Sequence, residues 1–507
     1  MQSNVNLRDT DRTATNPDRH FRRALAGLAV LGCALGIYVF FLPYNTMADE
    51  EEYLTEVFSA AAGHPQGWNI RHLLYPILLS PFVAAASALG AELPSLALIA
   101  RLANWVMWWI GLYASFQIAR RLYNLETAWL AVILIAFNWV WMLSGKRLMM
   151  DVPGSVWLLL AVYFRVVHQD LGLKALLAGI FCAAMSVVTK FQMGPPAAVY
   201  VLFVVLESYF SGKRSHAAVG VLFGLLLLFG IGLVDRLTYG GWFSSFVEFR
   251  QYNFVNMEAS PEEMYGACED MLYYVFNAKA VFSHFVWPLA LLGLAGLLIF
   301  MRGAERLLML LTVGTYFAVM HGVCHKQFRY LIGILPQLSI LAAGAYVFML
   351  RRACAACRET LRPALLIAAL AGIALIIYSL VPRSEIREIL TEREACANFV
   401  YQSTPLIPKG SKVVLAVPCG MPTYYLGDFE VSFGNIPYNE ETKGRVLRHY
   451  HAAIDQARAV FVDPDNVLGQ DLLSRWAPDS YVSHTSPRGR YKLFLRQDGP
   501  IPAAVTH

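Results

Sequence analysis

Directly after the first long apolar run stand four consecutive carboxylates, Asp49-Glu50-Glu51-Glu52, followed by Tyr53 and, about one helical turn on, Glu56. Carboxylates crowded at the edge of an apolar segment repel one another and are costly to desolvate. One held there can act as general base toward a hydroxyl; the competing reading is a solvated acidic loop. The run lacks the alternating ligand spacing of a calcium loop, so a divalent cation is the lesser alternative and no metal site is assigned. A second constellation is His325-Lys326-Gln327-Phe328-Arg329-Tyr330, set between nearly uncharged apolar runs. His325, Lys326 and Arg329 suit a phosphate group, Arg by planar hydrogen bonding and Lys as a point charge; the bland alternative is snorkelling toward lipid headgroups. A third is Asp235-Arg236 at the end of an apolar run, with Tyr239-Gly240-Gly241-Trp242 after it. The weakest set is Lys146-Arg147 with Asp151, and Lys190, where a local Arg147–Asp151 pair would be purely structural.

Positioning these groups falls to apolar helices. The chain has 507 residues, 57% hydrophobic and only 15% charged, with a mean hydropathy of +0.46. That composition excludes an ordinary soluble enzyme, for which about a quarter of residues would be charged. The net charge of +5 comes from basic residues flanking apolar runs, which indicates membrane orientation rather than nucleic-acid binding. Residues 24–43 follow Arg19, Arg22 and Arg23 and lack a small-residue cleavage site, so they read as an anchor. Further runs long enough to span lie near 96–118, 127–143, 152–168, 173–190, 195–210, 217–235, 281–300, 306–323, 330–350 and 363–381.

The stretch 73–90, broken by Pro76 and Pro81, decides the topology. If it does not cross, Arg120/Arg121, Arg165, Lys174, Lys213/Arg214, Arg302/Arg306 and Arg351/Arg352/Arg358 share the cytoplasmic side with the N-terminus. It therefore reads as interfacial or re-entrant, giving about eleven transmembrane helices and an extracytoplasmic C-terminus. The expected organisation is a cytoplasmic tail (1–23), an all-α polytopic membrane domain (24–382) with an outer loop at 44–95, and a small soluble α/β domain (383–507). In the last, a helix is expected near 385–402 and strands at Lys412–Val417, Val460–Asp463 and Tyr491–Arg496. The eight cysteines form no disulfide framework; Cys354 and Cys357 read as incidental thiols, and Cys396 and Cys419 could pair in an oxidising compartment.

The order of these features resembles the GT-C class of integral-membrane glycosyltransferases, and within it the mannosyltransferases of GPI-anchor and N-glycan assembly that use a dolichyl-phosphate-linked sugar. The resemblance rests on Asp49-Glu50, Arg71-His72-Leu73-Leu74-Tyr75-Pro76, Asp235-Arg236-Leu237-Thr238-Tyr239-Gly240 and His325-Lys326 with Arg329-Tyr330. Arg101, Arg120-Arg121-Leu122-Tyr123 and Thr189-Lys190 look like the related protein mannosyltransferase and aminoarabinose transferase group. Met47-Ala48 stands where the family has His-Pro, and Gln327-Phe328 where it has an acidic residue. These departures fit a bacterial relative using a polyprenyl-phosphate donor, in the inner membrane.

The resemblance implies a GT-C fold and an inverting transfer. Asp49, with Glu50, would activate an acceptor hydroxyl, and His325, Lys326 and Arg329 would hold the donor phosphate. Arg71, Tyr75, Arg147, Asp151, Lys190, Asp235, Arg236 and Tyr239 would line the substrate site. No cofactor is expected. The partners are a polyprenyl-phosphate-linked sugar, a lipid, glycan or protein acceptor, and the membrane. The rival readings are a transporter or flippase of such lipids, which would gather charge near the bilayer midplane, and a polymerase or ligase using a diphosphate donor.

Overall fold

The computed structural model describes residues 16–41, 48–65, 71–168, 172–251, 272–299, 303–323, 327–381, 396–417, 430–433, 443–476, 481–487 and 489–496. In chain order the helices are α1 (Asn16–Phe41), α2 (Ala48–Ala61), α3 (Leu74–Ala88), α4 (Leu93–Leu122), α5 (Leu125–Ala136), α6 (Trp139–Lys146), α7 (Asp151–Val167), α8 (Leu173–Thr189), α9 (Gly194–Phe210) and α10 (Arg214–Tyr239). There follow α11 (Ser244–Arg250), α12 (Tyr273–Asn277), α13 (Lys279–Ile299), α14 (Ala304–Gly322), α15 (Leu335–Ala356) and α16 (Arg362–Leu380). Short 3₁₀ segments at Phe191–Met193 and Phe328–Ile334 join α8 to α9 and lead into α15.

The chain divides into two compact units. The first comprises Met1–Phe41, Glu56–Leu89 and Leu98–Arg383; the second comprises Leu42–Thr55, Gly90–Ala97 and Ser384–His507.

The first unit is a helical body in which α7 packs on α8, α13 on α15 and α1 on α5. Its interior holds Trp108, Trp141, Tyr200 and Tyr316, all nearly inaccessible. Among the described residues seven helices are long and apolar enough to cross a membrane, or eight if α5 and α6 form one bent span. The count of eleven is reached only by adding α7 and α8, of 17 residues each, and α14 of 19. The apolar α3, 15 residues long, is too short at 1.5 Å per residue to span a roughly 30 Å core.

The run 127–143 is not one straight helix: α5 and α6 meet at 64°. Asn138 makes the break, its side-chain oxygen capping α6 at the Trp141 amide and its Nδ2 donating to the Val281 carbonyl. Val281 precedes a kink in α13 at Ser283, where φ is +64°. α10 ends at Gly240, whose φ of +80° is the left-handed cap that glycine adopts without a steric cost. Gly154 is needed for a different reason: a Cβ there would lie 2.9 Å from Lys190 Cβ, so the missing side chain lets α7 approach the lysine.

The second unit contains α17 (Cys396–Ser403), β1 (Lys412–Ala416), β2 (Glu430–Phe433), α18 (Lys443–Ile454), β3 (Ala459–Val462), α19 (Val467–Arg475), β4 (Tyr481–Thr485) and β5 (Lys492–Arg496). The strands form one sheet in the order β2-β1-β3-β5-β4. β2, β1 and β3 run parallel, and β5 is antiparallel to both β3 and β4. Val413, Leu415 and Phe461 face Phe399 and Val400, while Val414 and Val460 pack on Leu447 and Tyr450. Burial on both faces explains the continuous apolar text of β1 and β3. The edge strand β4, Tyr-Val-Ser-His-Thr, and the four-residue β2 carry no such text and are additions to the strands expected from sequence. Cys396 is disulfide-bonded; Cys419 lies outside the described residues.

Candidate active site

Two adjoining polar clusters lie where helices of the first unit end. In one, Asp151 opens α7 and Lys190 follows α8, and their buried side chains form an ion pair. The lysine ammonium also sits over the Tyr330 ring, 5.0 Å from its centroid, and the Arg329 guanidinium approaches the same ring at 5.9 Å. Such cation–π contacts hold positive charge against an apolar surface. Tyr330 is fixed in turn by its backbone carbonyl, which accepts the Tyr316 hydroxyl of α14. Four elements, α7, the turn after α8, the Phe328–Ile334 segment and α14, thus converge on one pair of cations.

In the other cluster Asp235, 1% exposed in the last turns of α10, accepts the backbone amide and hydroxyl of Ser245 at 2.9 and 2.6 Å. Its second oxygen lies 3.5 Å from His72 Nε2. The Tyr239 hydroxyl donates to the Arg71 carbonyl at 2.8 Å, and the Arg71 guanidinium lies 3.9 Å from the buried Glu56 carboxylate. Phe191 bridges the clusters: next in sequence to Lys190, it meets the His72 ring edge-on at 6.4 Å and packs on Phe249 of α11.

Several expected site residues find different partners. Asp151 forms its buried ion pair with Lys190 of the turn after α8, where the sequence offered the nearby Arg147. Asp235 and Arg236 diverge, the first inward and the second exposed, with Arg236 donating to the Gly240 carbonyl at the end of its helix. Helical geometry forces this, since adjacent residues point about 100° apart. The Tyr75 hydroxyl is buried and donates to Asn104, whose amide donates to the carbonyls of Arg147 and Met149. Tyr75 therefore braces the turn that carries Arg147 and leads to Asp151. Glu50 is fully buried and belongs to the second unit. The side chain of Asp49, though it belongs to α2, and the whole of His325 and Lys326 lie outside the described residues.

His72, Asn104, Phe191, Ser245 and Tyr316 complete the site without having been assigned to it from sequence. Asn104 had a legible signal, a polar amide inside an apolar run. Ser245 had none, because its role comes from the chain reversal at Gly240-Gly241. Among the described residues no three His, Cys, Asp or Glu side chains converge as metal ligands.

Between α8, α9 and α10 the same unit has an apolar groove of about 520 Å³, floored by small residues including Ala183, Gly194, Ala197, Gly220 and Gly224. It reaches Ile231, one turn before Asp235, and Val187 and Gly194 flank the Lys190 turn at its wall.

Among curated protein sequences none matches this chain. Solved structures do. ArnT from Cupriavidus metallidurans bound to undecaprenyl phosphate aligns over 92% of this chain and 98% of its own, at 14% identity and a TM-score of 0.57. The Archaeoglobus fulgidus oligosaccharyltransferase in complex with zinc and sulfate aligns over 92% and 73%, at 11% identity and 0.52. The archaeal oligosaccharyltransferase AglB from the same organism, in complex with an inhibitory peptide and a dolichol-phosphate, gives 94% and 75%, 10% identity and 0.51. At these identities the likeness is one of fold, that of GT-C membrane glycosyltransferases. The family model described as Alg9-like mannosyltransferase matches residues 64–400. With more than half of its sequence inside that match, the chain belongs to the Alg9-like mannosyltransferase family and is an integral-membrane glycosyltransferase.

Proposed function

We propose that the chain transfers mannose from a polyprenyl-phosphate donor to an acceptor hydroxyl, with inversion, on the extracytoplasmic face of a bacterial inner membrane. The observation that carries this reading is the convergence of Lys190, Arg329 and Tyr330, together with an apolar groove whose lining includes Val187 and Gly194 on either side of the Lys190 turn. A lipid monophosphate needs that combination, cationic donors for its oxygens and an apolar track for its prenyl chain. ArnT was solved with undecaprenyl phosphate and AglB with a dolichol-phosphate, which supports a donor of this class.

Asp49, with Glu50 beside it, takes the proton of the acceptor hydroxyl as its oxygen attacks the anomeric carbon. The bond from that carbon to the phosphate oxygen breaks on the opposite face, and the lipid phosphate leaves. Lys190 and Arg329, with His325 and Lys326, stabilise the negative charge that grows on it, an effect larger where water is excluded. Arg71, Arg147, Asp151, Asp235, Arg236 and Tyr239 serve the sugar and acceptor, with Tyr75 bracing the 147–151 turn.

Two arguments support the orientation. It places the Arg/Lys clusters at 120–121, 165, 213–214 and 351–358 in the cytoplasm. It also places the disulfide-bonded Cys396 in an oxidising compartment, while Cys33, Cys182, Cys354 and Cys357, all in the helical unit, are free thiols. The domain division follows: a cytoplasmic tail to residue 23, a catalytic membrane domain to 382 with its outer loop at 44–95, and an extracytoplasmic α/β domain from 383.

The test incubates membranes holding the wild type or Asp49→Asn with radiolabelled polyprenyl-phosphate mannose and candidate lipid, glycan and protein acceptors. Label should move in the wild type and fall by roughly 10²–10⁴-fold in the variant, the usual worth of a positioned base. Transfer from a polyprenyl diphosphate sugar alone would indicate a polymerase or ligase instead, and unchanged transfer in the variant would remove Asp49 from the base role.

A further inference from the structure

Ile231, Asp235 and Tyr239 are spaced four apart and so form one stripe of α10. All three engage two consecutive residues of the loop before α3. His72 Nε2 lies 3.1 Å from the Ile231 carbonyl and 3.5 Å from Asp235, and the Tyr239 hydroxyl donates to the Arg71 carbonyl. On its other side the His72 ring accepts the Leu74 amide at Nδ1, 3.1 Å away. A backbone amide only donates and a carbonyl only accepts, so this geometry requires a bare Nδ1 and a protonated Nε2. The ring is fully buried, and nothing in the transfer chemistry above uses it.

We infer that His72 is a positioning residue of the transferase. In its neutral Nε2–H form it clamps the loop to the 231/235/239 stripe of α10, and so sets Arg71 against Glu56. The two ring nitrogens have separable tasks. Nδ1 shapes the turn into α3 locally, whereas Nε2 reaches across 159 residues of sequence to α10. Only the second task bears on Arg71 relative to the rest of the site. Displacement of such a group by about 1 Å can cost about 10²-fold in rate. The edge contact of the ring with Phe191 passes the same constraint to the neighbour of Lys190.

The experiment separates the two nitrogens. His72→Asn keeps an acceptor for the Leu74 amide but cannot reach α10; His72→Gln places an amide N–H toward Ile231 and Asp235 and lacks the local acceptor. Hydrogen exchange of the 71–78 and 231–239 peptides is measured in both variants, together with donor kcat and KM and the melting temperature. The inference expects slow exchange at Leu74 in His72→Asn with kcat/KM down about 10–100-fold, and activity within a few-fold of wild type in His72→Gln. A purely structural histidine would lower activity in both variants in step with the folded fraction, and that result, or wild-type kcat/KM in His72→Asn, overturns it. The inference rests on the transferase reading above, yet the two fail differently. A wild type that moves no sugar from any polyprenyl phosphate ends that reading, while unchanged exchange across 71–78 and 231–239 in both variants ends the clamp.

Discussion

At the Arg351 end of the helical unit, arginines and carboxylates answer one another; at the Lys190 end, cations are shared with an aromatic face. Arg351 meets both Asp18 and Glu126, Arg22 meets Glu126, and Arg362 meets Asp18, tying α1, α5, α15 and α16 together. Arg165 likewise joins Glu207 and Glu305 across α7, α9 and α14. At the opposite ends of α7 and α15, Lys190 has Asp151 and the Tyr330 ring, and Arg329 lies against that same ring. The contrast separates charge used as a tie from charge used as a site. Carboxylate-matched arginines fix helices in place, whereas Lys190, though paired with Asp151, also rests with Arg329 against an aromatic face that adds no further carboxylate to compete with a phosphate.

The largest expected effect comes from Lys190. Lys190→Ala should lower kcat by roughly 10²–10³-fold, the worth of one donor to developing charge. It should also destabilise the fold by about 3–5 kcal/mol, because the buried Asp151 carboxylate loses its partner. The double variant Asp151→Asn/Lys190→Gln sharpens the point: its melting temperature should recover while transfer does not. Recovery of both would class this pair with the Arg351 lattice.

Arg329→Ala should weaken donor use about 10- to 100-fold, the range of a charge-assisted hydrogen bond. Arg329→Lys should restore only part, since the charge returns without the planar fork. Acceptor kinetics should change much less. Donor titrations at matched expression read the difference, and a neutral Arg329→Lys would favour simple headgroup snorkelling.

Arg351→Ala is the counterpart. It should cost about 1–3 kcal/mol in thermal or denaturant unfolding, as Asp18 and Glu126 lose a partner, with turnover per folded molecule unchanged. A fall in turnover without a fall in stability would break the comparison.

The smallest effect is a pH slope. Burial lowers the His72 pKa below its usual 6.5, partly offset by the Ile231 carbonyl and by Asp235. Arg71 and Glu56 from the loop and helix before it also face this region. Because the unfolded histidine binds a proton more readily than the folded one, this stability contribution is complete above about pH 6.5 and is lost as pH falls from there through the lower folded pKa. Melting temperatures at pH 7.5 and 5.5 should therefore fall further in the wild type than in His72→Gln. Equal slopes would mean that the ring is not held neutral.

The helices and the parallel core strands were legible because their text is one-sided in the physical sense: long apolar runs have few alternatives in a membrane, and β1 and β3 are buried on both faces. The bend at Asn138 was less legible, since a single amide redirects a run whose hydropathy is continuous. β4 escaped for the opposite reason, being a solvated edge whose residues alternate weakly. Within the site, Lys190, Asp151, Asp235 and Arg329 were readable as ions beside apolar segments. Their partners were not. Arg147 is four residues from Asp151, but it is Lys190, at a separation of 39, that forms the buried ion pair with it.

Composition and charge order alone determined that the chain is a membrane protein with a polar C-terminal region, because hydrophobic length and the energetic cost of charge in lipid act on local sequence. The order of short motifs identified the family. Tertiary structure decided which charges became ties and which became a site. Ion pairs and the tautomer of His72 depend on distances between segments 39 to 344 residues apart in sequence, and those distances exist only once the helices have packed.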